Sequence, residues 1–157
     1  MDNVMIHPLL IEPLRNINFS DRYKKLCGNK KYDPDLVRFD SYLIPLHFKE
    51  RGYELKYNKG EKFYKINNKI NEFDITFNLL IRDGFIQFVW DVLKEKERFE
   101  LGYGMWESIV RNMDIISSDK FEGNKKPLFT NNDELKDVLM EGFNIHEDFL
   151  KQLALIK

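Results

Sequence analysis

The sequence predicts an α+β fold: an antiparallel β-meander of about four strands with helices packed on one face. Three observations predict it. The stretch "FDITFNLLIRDGFIQFVWDV" (73–92) is two alternating apolar runs joined by Asp83-Gly84, a strong hairpin signal. The segments around Trp106 and after Asn131 repeat apolar residues at helical spacing. Finally, 157 residues with 43% hydrophobic and 32% charged side chains suit one globular domain, 1–157, burying roughly 70% of its unfolded surface. No internal repeat, low-complexity tract or Gly/Ser linker divides it.

The elements follow in chain order. Residues 1–19 are expected to be extended, because Pro8 and Pro13 break a helix. Asp21 to Cys27 predicts a short helix stopped at Gly28. In "YDPDLVRFDSYLIPLHFKERG", Asp33 is placed as an N-cap and Pro34 at the first helical position, with Leu36, Phe39, Leu43 and Leu46 on one face. Pro45 should kink or end that helix. "YELKYNKGEKFYKI" reads as two short strands around Lys59-Gly60.

In the 73–92 hairpin, a two-residue type I′ turn at Asp83-Gly84 fixes the register. Ile81 then pairs with Ile86, Leu79 with Phe88, Phe77 with Trp90 and Ile75 with Val92, all on one face. Leu80–Gln87, Asn78–Val89, Thr76–Asp91 and Asp74–Leu93 make the other, mixed face. "GMWESIVRNMDII" predicts a helix burying Trp106, Ile109, Val110 and Met113, followed by a loop from Ser117 to Pro127. A helix from Asn131 carries Glu134 for a capping box and turns Leu135, Val138 and Leu139 inward. A second begins at Asn144, with Gly142 as the joint, or the two form one kinked helix.

Cys27 is the single cysteine, which excludes an intramolecular disulfide framework and suits a reducing compartment. "MDNVMIHPLLIEPLR" has an acid at position 2 and no basic leader, so it is a poor signal peptide. No run reaches the ~18 apolar residues of a membrane helix. The expected location is cytoplasmic, without membrane contact. The net charge of −1 conceals a division: residues 1–69 carry 14 Lys and Arg against 9 Asp and Glu, and residues 70–157 carry 11 against 17. Such asymmetry can steer a charged partner.

Motifs for chemistry are sparse, and no cofactor is expected. The three histidines, at 7, 47 and 146, have no metal-ligand spacing; "HEDF" starts like a zincin motif, but Leu150 stands where its second histidine belongs. Cys27 with His47 would need a depressed-pKa thiolate, and Ser20, Ser41, Ser108, Ser117 and Ser118 lie in no nucleophile elbow. The glycines of "LGYGMW" suit the turn into the Trp106 helix, because Glu107 stands at the third glycine of a dinucleotide fingerprint. Pro34-Asp35 with Glu54-Leu55-Lys56 resembles the signature of the PD-(D/E)xK nucleases. That resemblance implies Mg²⁺ bound by Asp35 and Glu54 and water activated by Lys56, although Asp35 opens a helix where the family has a strand. The segment "RYKKLCGNKKY" could touch phosphates, but a pI of 6.3 argues against a nucleic-acid partner.

Asp91, Glu95, Glu97, Glu100 and Glu107, with the aromatics Trp90, Phe99, Tyr103 and Trp106, have the composition of a protein-binding patch: aromatic anchors in a charged rim. The expected partner-binding set is Asp91, Glu95, Glu97, Glu100, Tyr103, Trp106 and Glu107. A small domain with this hairpin, an acidic second half and no catalytic motif resembles, in general type, the bacterial immunity proteins that neutralise a cognate toxin. The resemblance implies a protein partner, a basic toxin domain, whose active site is occluded after fast electrostatic association. The alternatives are the Mg²⁺ nuclease and a non-catalytic ligand-binding or scaffold domain; oligomeric state is left open.

Overall fold

The computed structural model describes residues 5–58, 60, 63–117 and 125–156. The fold is α+β, built on a meander of five rather than four strands in the order β1-β2-β3-β4-β5. The strands are β1 (Lys56–Asn58), β2 (Phe63–Ile70), β3 (Phe73–Arg82), β4 (Phe85–Lys94) and β5 (Glu97–Arg98). The helices are α1 (Pro8–Asn16), α2 (Phe19–Cys27), α3 (Leu43–Glu50), α4 (Trp106–Ser117) and α5 (Asn132–Leu153). No helix among the described residues is long and apolar enough to cross a membrane.

The β3–β4 register is the one the two-residue connection dictates: Ile81↔Ile86, Leu79↔Phe88, Phe77↔Trp90 and Ile75↔Val92. Seven of these eight side chains are buried and Ile81 is half-buried. Full burial of a large apolar side chain is worth about 1.5–3 kcal/mol, so this face anchors the core. Trp106 of α4 stacks on Phe88 and Phe77, with ring centroids 4.5 and 5.4 Å away. Phe149 of α5 stacks on Trp90 at 4.2 Å, and Phe19 of α2 lies 5.4 Å from the same indole. The opposite face is half-buried at Thr76, Asn78, Leu80, Val89, Asp91 and Leu93 and exposed at Asn67, Lys69 and Asp74.

The turn itself is not type I′, which needs a positive φ at both central residues; only Gly84 has one, at 97°. Tertiary contacts explain the choice. The Tyr32 hydroxyl donates to the Asp83 carbonyl at 2.8 Å, and the Phe129 amide donates to the Gly84 carbonyl at 3.0 Å. A Cβ on Gly84 would meet the Val37 and Tyr32 side chains at 2.8 and 2.9 Å. A turn positive at both positions occurs instead at Glu95 (φ 51°) and Lys96 (φ 69°), and it creates the fifth strand.

Three segments cover the outer edge of β4. β5 pairs with Leu93 and Lys94, the Trp90 amide donates to the Gly104 carbonyl at 2.9 Å, and the Ile86 amide to the Pro127 carbonyl at 3.1 Å. The remainder of an unpaired edge would invite foreign strands.

Several helix boundaries differ from expectation. Residues 8–16 form α1 despite their prolines. Pro8 occupies the first position, where its missing N–H costs nothing, and the His7 Nδ1 accepts from the Leu9 amide at 3.1 Å. Pro13 forfeits one helical bond, but Leu10, Pro13 and Leu14 are buried, which offsets it. No continuous helix runs from Asp33: Asp33 caps only the 3-10 turn Pro34–Leu36. The following strand-like segment is tied to α5 by the Arg38 amide on the Thr130 carbonyl, 2.7 Å, and the Asp40 amide on Asn132 Oδ1, 2.7 Å. Pro45 is therefore the third residue of α3, in the first turn where it is tolerated. Leu36 and Leu46 are exposed.

α5 is one helix through Gly142, not two. Gly142 is a point of close approach: a Cβ there would lie 2.6 Å from the Phe88 ring. The cap also differs in detail. Asn131 Oδ1 accepts from the Glu134 amide at 2.9 Å, but the Glu134 carboxylate reaches back to Thr130, accepting from its amide and hydroxyl at 2.8 and 2.6 Å. The strands flanking Lys59-Gly60 form as expected, with Lys56 opposite Lys65, while Lys59 and 118–124 of the expected Ser117–Pro127 loop lie outside the described residues.

Candidate functional site

Four basic residues of the first half pair with acidic residues of the second. Arg22 of α2 pairs with Glu141 and Asp148 of α5, both at 2.8 Å; Lys24 pairs with Asp114 of α4 at 2.9 Å; Lys30 pairs with Glu134. Arg51, just after α3, pairs with Glu147 at 2.9 Å. Lys30 and Thr130 hold the Glu134 carboxyl down at about 2. The basic segment 22–32 is thus engaged through Arg22, Lys24 and Lys30 with the acidic helices, and part of the charge asymmetry of the sequence is intramolecular complementarity.

The candidate chemical residues are accounted for individually. Cys27 is buried, and desolvation pushes its thiol up to about 12, so it is not a thiolate nucleophile. His7 caps α1 and stacks on Phe99 at 4.0 Å; His47 is buried in α3. His146 is fully buried: its Nδ1 accepts from Trp90 Nε1 at 3.0 Å, and its Nε2 lies 2.8 Å from Asn68 Oδ1. That pattern places the proton on Nε2 and keeps the ring neutral, and burial lowers its pKa to about 3. Asp35 is exposed in the 3-10 turn, Glu54 is exposed before β1 rather than on it, and Lys56 opens β1. Among the described residues no three His, Cys, Asp or Glu side chains are grouped to hold a metal.

The expected partner-binding set divides. Trp106 is 0% exposed at the centre of the aromatic core, and Glu107 is 6% exposed, so neither belongs to a surface patch. The helical period that turns Trp106 inward also starts α4 beneath the β4 edge. There Glu107 accepts from Gln87 Nε2 at 2.7 Å and pairs with Lys126 at 3.7 Å. Trp90 and Phe99 are likewise buried. Glu95 and Glu97 are exposed at the β4–β5 turn, where the Glu72 carboxylate beside Glu95 pushes the Glu95 carboxyl above its ordinary range. The basic Lys94, Lys96 and Arg98 interleave with them, so the turn is less acidic than the acids alone suggest.

Asp91, Glu100 and Tyr103 do come together. They line a cleft of about 480 Å³ between the mixed face of β3–β4 and the 98–104 segment, with Asn78, Val89 and Arg98. Arg98 Nε lies 3.2 Å from Asp91 Oδ1, while no ion pair of Glu100 is found among the described residues. The Asn78 Oδ1 is buried with no hydrogen-bond partner; an unpaired buried acceptor costs about 1–3 kcal/mol.

Tyr103 stands out. It is 70% exposed, yet its φ is 66°, a left-handed conformation that costs a non-glycine residue about 1–2 kcal/mol. Its neighbours impose that conformation: Gly102 (φ 56°) and Gly104 (φ 84°) are left-handed too. A Cβ on Gly104 would lie 2.3 Å from the Trp90 carbonyl oxygen. Pairing of Gly104 with β4, the Gly104 amide on the Leu101 carbonyl at 2.8 Å and the Gly102 amide on the Met5 carbonyl at 2.6 Å fix the loop. A rigid loop therefore holds a large aromatic side chain outward. Asn78 and Arg98 escaped sequence reasoning as site residues; the available signal was the amide side chain of Asn78 at the middle of a strand, on its mixed face. Compared with family models, curated proteins and solved structures, the chain matches none.

Proposed function

We propose that the chain is a cytoplasmic protein-binding module of the immunity type, which binds a cognate toxin and occludes it through the surface around Tyr103. The observation that carries this reading is the outward tyrosine on a strained, well-fixed loop. Backbone strain persists only where the surroundings over-determine it, and it concentrates at binding sites. Tyrosine is also a residue that supplies large contact area at interfaces. The adjoining cleft and the exposed Glu95, Glu97 and Glu100 extend the contact, with charge acting on association rate more than on final affinity. The global acidity of the second half contributes less, because its helices are paired with the first half.

The test uses Tyr103→Gly, which fits the left-handed backbone. The wild-type chain, used as bait in lysate of its source cell, should capture one stoichiometric protein that is toxic when expressed alone. Co-expressed wild type should neutralise it, and Tyr103→Gly should do neither. Capture and neutralisation unchanged by Tyr103→Gly would sink the reading.

A further inference from the structure

We infer that the β1 edge of the sheet is a docking site for an extended acidic segment of a partner protein, which adds antiparallel to β1 as a further strand. β1 lies at the opposite end of the strand order from β4 and β5, so this surface is separate from the Tyr103 loop. Three segments cover the outer edge of β4, but no described residue pairs with the outer side of β1. The alternation of ladder bonds shows which groups are open there. Asn71-Glu72 is a two-residue connection, so Ile70 and Phe73 face each other as a bonded pair, as do Asn68–Ile75, Ile66–Phe77 and Tyr64–Leu79. Phe63 and Lys65 therefore turn their amides and carbonyls toward Asn58 and Lys56 of β1. Tyr57 and Tyr64 are left as a non-bonded pair, whose rings approach to 4.8 Å. The Tyr57 N–H and C=O consequently point outward from the sheet.

Alternate side chains of a strand laid along Tyr57 meet two different surfaces. On the helix-covered face, the residue opposite Tyr57 reaches a cavity of about 240 Å³ walled by Phe39, Ile44, Tyr57, Tyr64 and Ile81. Arg82 and Asp83 also line it and carry opposite charges, so the seat suits one large apolar or aromatic side chain. Tyr57 itself is 48% exposed. On the other face Lys56 stands directly opposite Lys65, and neither has an ion pair among the described residues. Like charges facing each other across a ladder are destabilising, and carboxylates from a new strand relieve them. A short edge strand bearing lysine also guards a sheet against its own copies: a second molecule's β1 would bring another Lys56 to the same edge. The lysines thus disfavour self-pairing and select an acidic strand. Main-chain bonds then give affinity, and the alternate side chains give specificity.

The experiment titrates an end-capped heptapeptide into isotope-labelled full chain and follows amide resonances. The peptide is threonine throughout, except for a central phenylalanine flanked by two glutamates. Saturable shifts are expected at Lys56, Tyr57, Tyr64 and Lys65, with hydrogen exchange slowed at the Tyr57 amide. Methylating the phenylalanine amide removes the donor to the Tyr57 carbonyl and should weaken binding about tenfold. Replacing both glutamates by lysines should weaken it by a similar factor. Lys56→Glu lifts the repulsion from Lys65 and so preserves the fold; it should reverse the preference between the two peptides. Equal affinity of the N-methylated peptide, an unchanged preference in Lys56→Glu, or no saturable shift along β1 would overturn the assignment. So would a concentration-dependent dimer of the chain alone that Tyr57→Pro abolishes, because proline removes the outward N–H of an edge strand and the edge would then belong to a second copy.

Discussion

Acidification from pH 7 to pH 5 should cost the wild-type chain about 2 kcal/mol of stability through His146 alone. The imidazole is fully buried, stacked on Phe77 at 4.3 Å, and held between the Trp90 indole N–H and the Asn68 carboxamide oxygen. Its aromatic neighbours are Phe77, Trp90 and Tyr53, and none of them carries a positive or negative charge in this pH range. Burial lowers the folded pKa to about 3, against an unfolded value of about 6.5.

The sign follows from linkage. Above pH 6.5 neither state holds the proton and the full stability is present. As pH falls, the unfolded chain binds a proton that the folded chain refuses, so stability declines at about 1.4 kcal/mol per pH unit until pH nears 3. Between pH 7 and 5 the difference amounts to about 2 kcal/mol, before most carboxylates titrate. The assay is urea denaturation followed by tryptophan fluorescence at several pH values, for wild type and His146→Gln. Glutamine can accept from Trp90 and donate to Asn68, but it does not titrate. The variant should be less stable at pH 7 and should lack this part of the slope. Parallel pH profiles for the two proteins would refute the reasoning.

Two further predictions concern backbone positions. Gly142→Ala gains helix propensity worth about 1 kcal/mol, yet its Cβ would strike a Phe88 ring locked against Trp106. A net loss of about 1–3 kcal/mol is expected from overpacking, and a raised urea midpoint would contradict it. Replacing Glu95-Lys96 by Asn-Gly should stabilise the chain by about 1 kcal/mol, because both positions are left-handed and neither native residue favours that state. Calorimetry reads this, and a lowered melting temperature would count against it.

The α+β class and the β3–β4 register were legible in the sequence because both follow from short-range rules. A two-residue connection between alternating runs allows one pairing in which Phe77 faces Trp90 and Leu79 faces Phe88. Helical spacing likewise brings Trp106, Ile109, Val110 and Met113 to one face, and all four are buried. Asn131 caps α5 through a side-chain bond to an amide three residues on, which is again local chemistry.

Other features depend on what lies across the molecule. Whether Gly142 is a joint or a contact depends on Phe88, a residue of another element. The conformation at Asp83-Gly84 is chosen by Tyr32 and Phe129, and Pro13 survives inside α1 because the core receives its helix. Trp106 and Glu107 carry the residue types of an interface but fold inward, since type and spacing do not reveal what covers a face. Only the tertiary structure shows that Arg22, Lys24, Lys30 and Arg51 pair with acidic residues of the second half, and that β4 fixes a loop from which Tyr103 must point out. The sequence by itself determined the periodicities and the hairpin register, which are properties of neighbouring residues. The tertiary structure decided burial, charge pairing and the exposed tyrosine, because those depend on contacts between residues far apart in the chain.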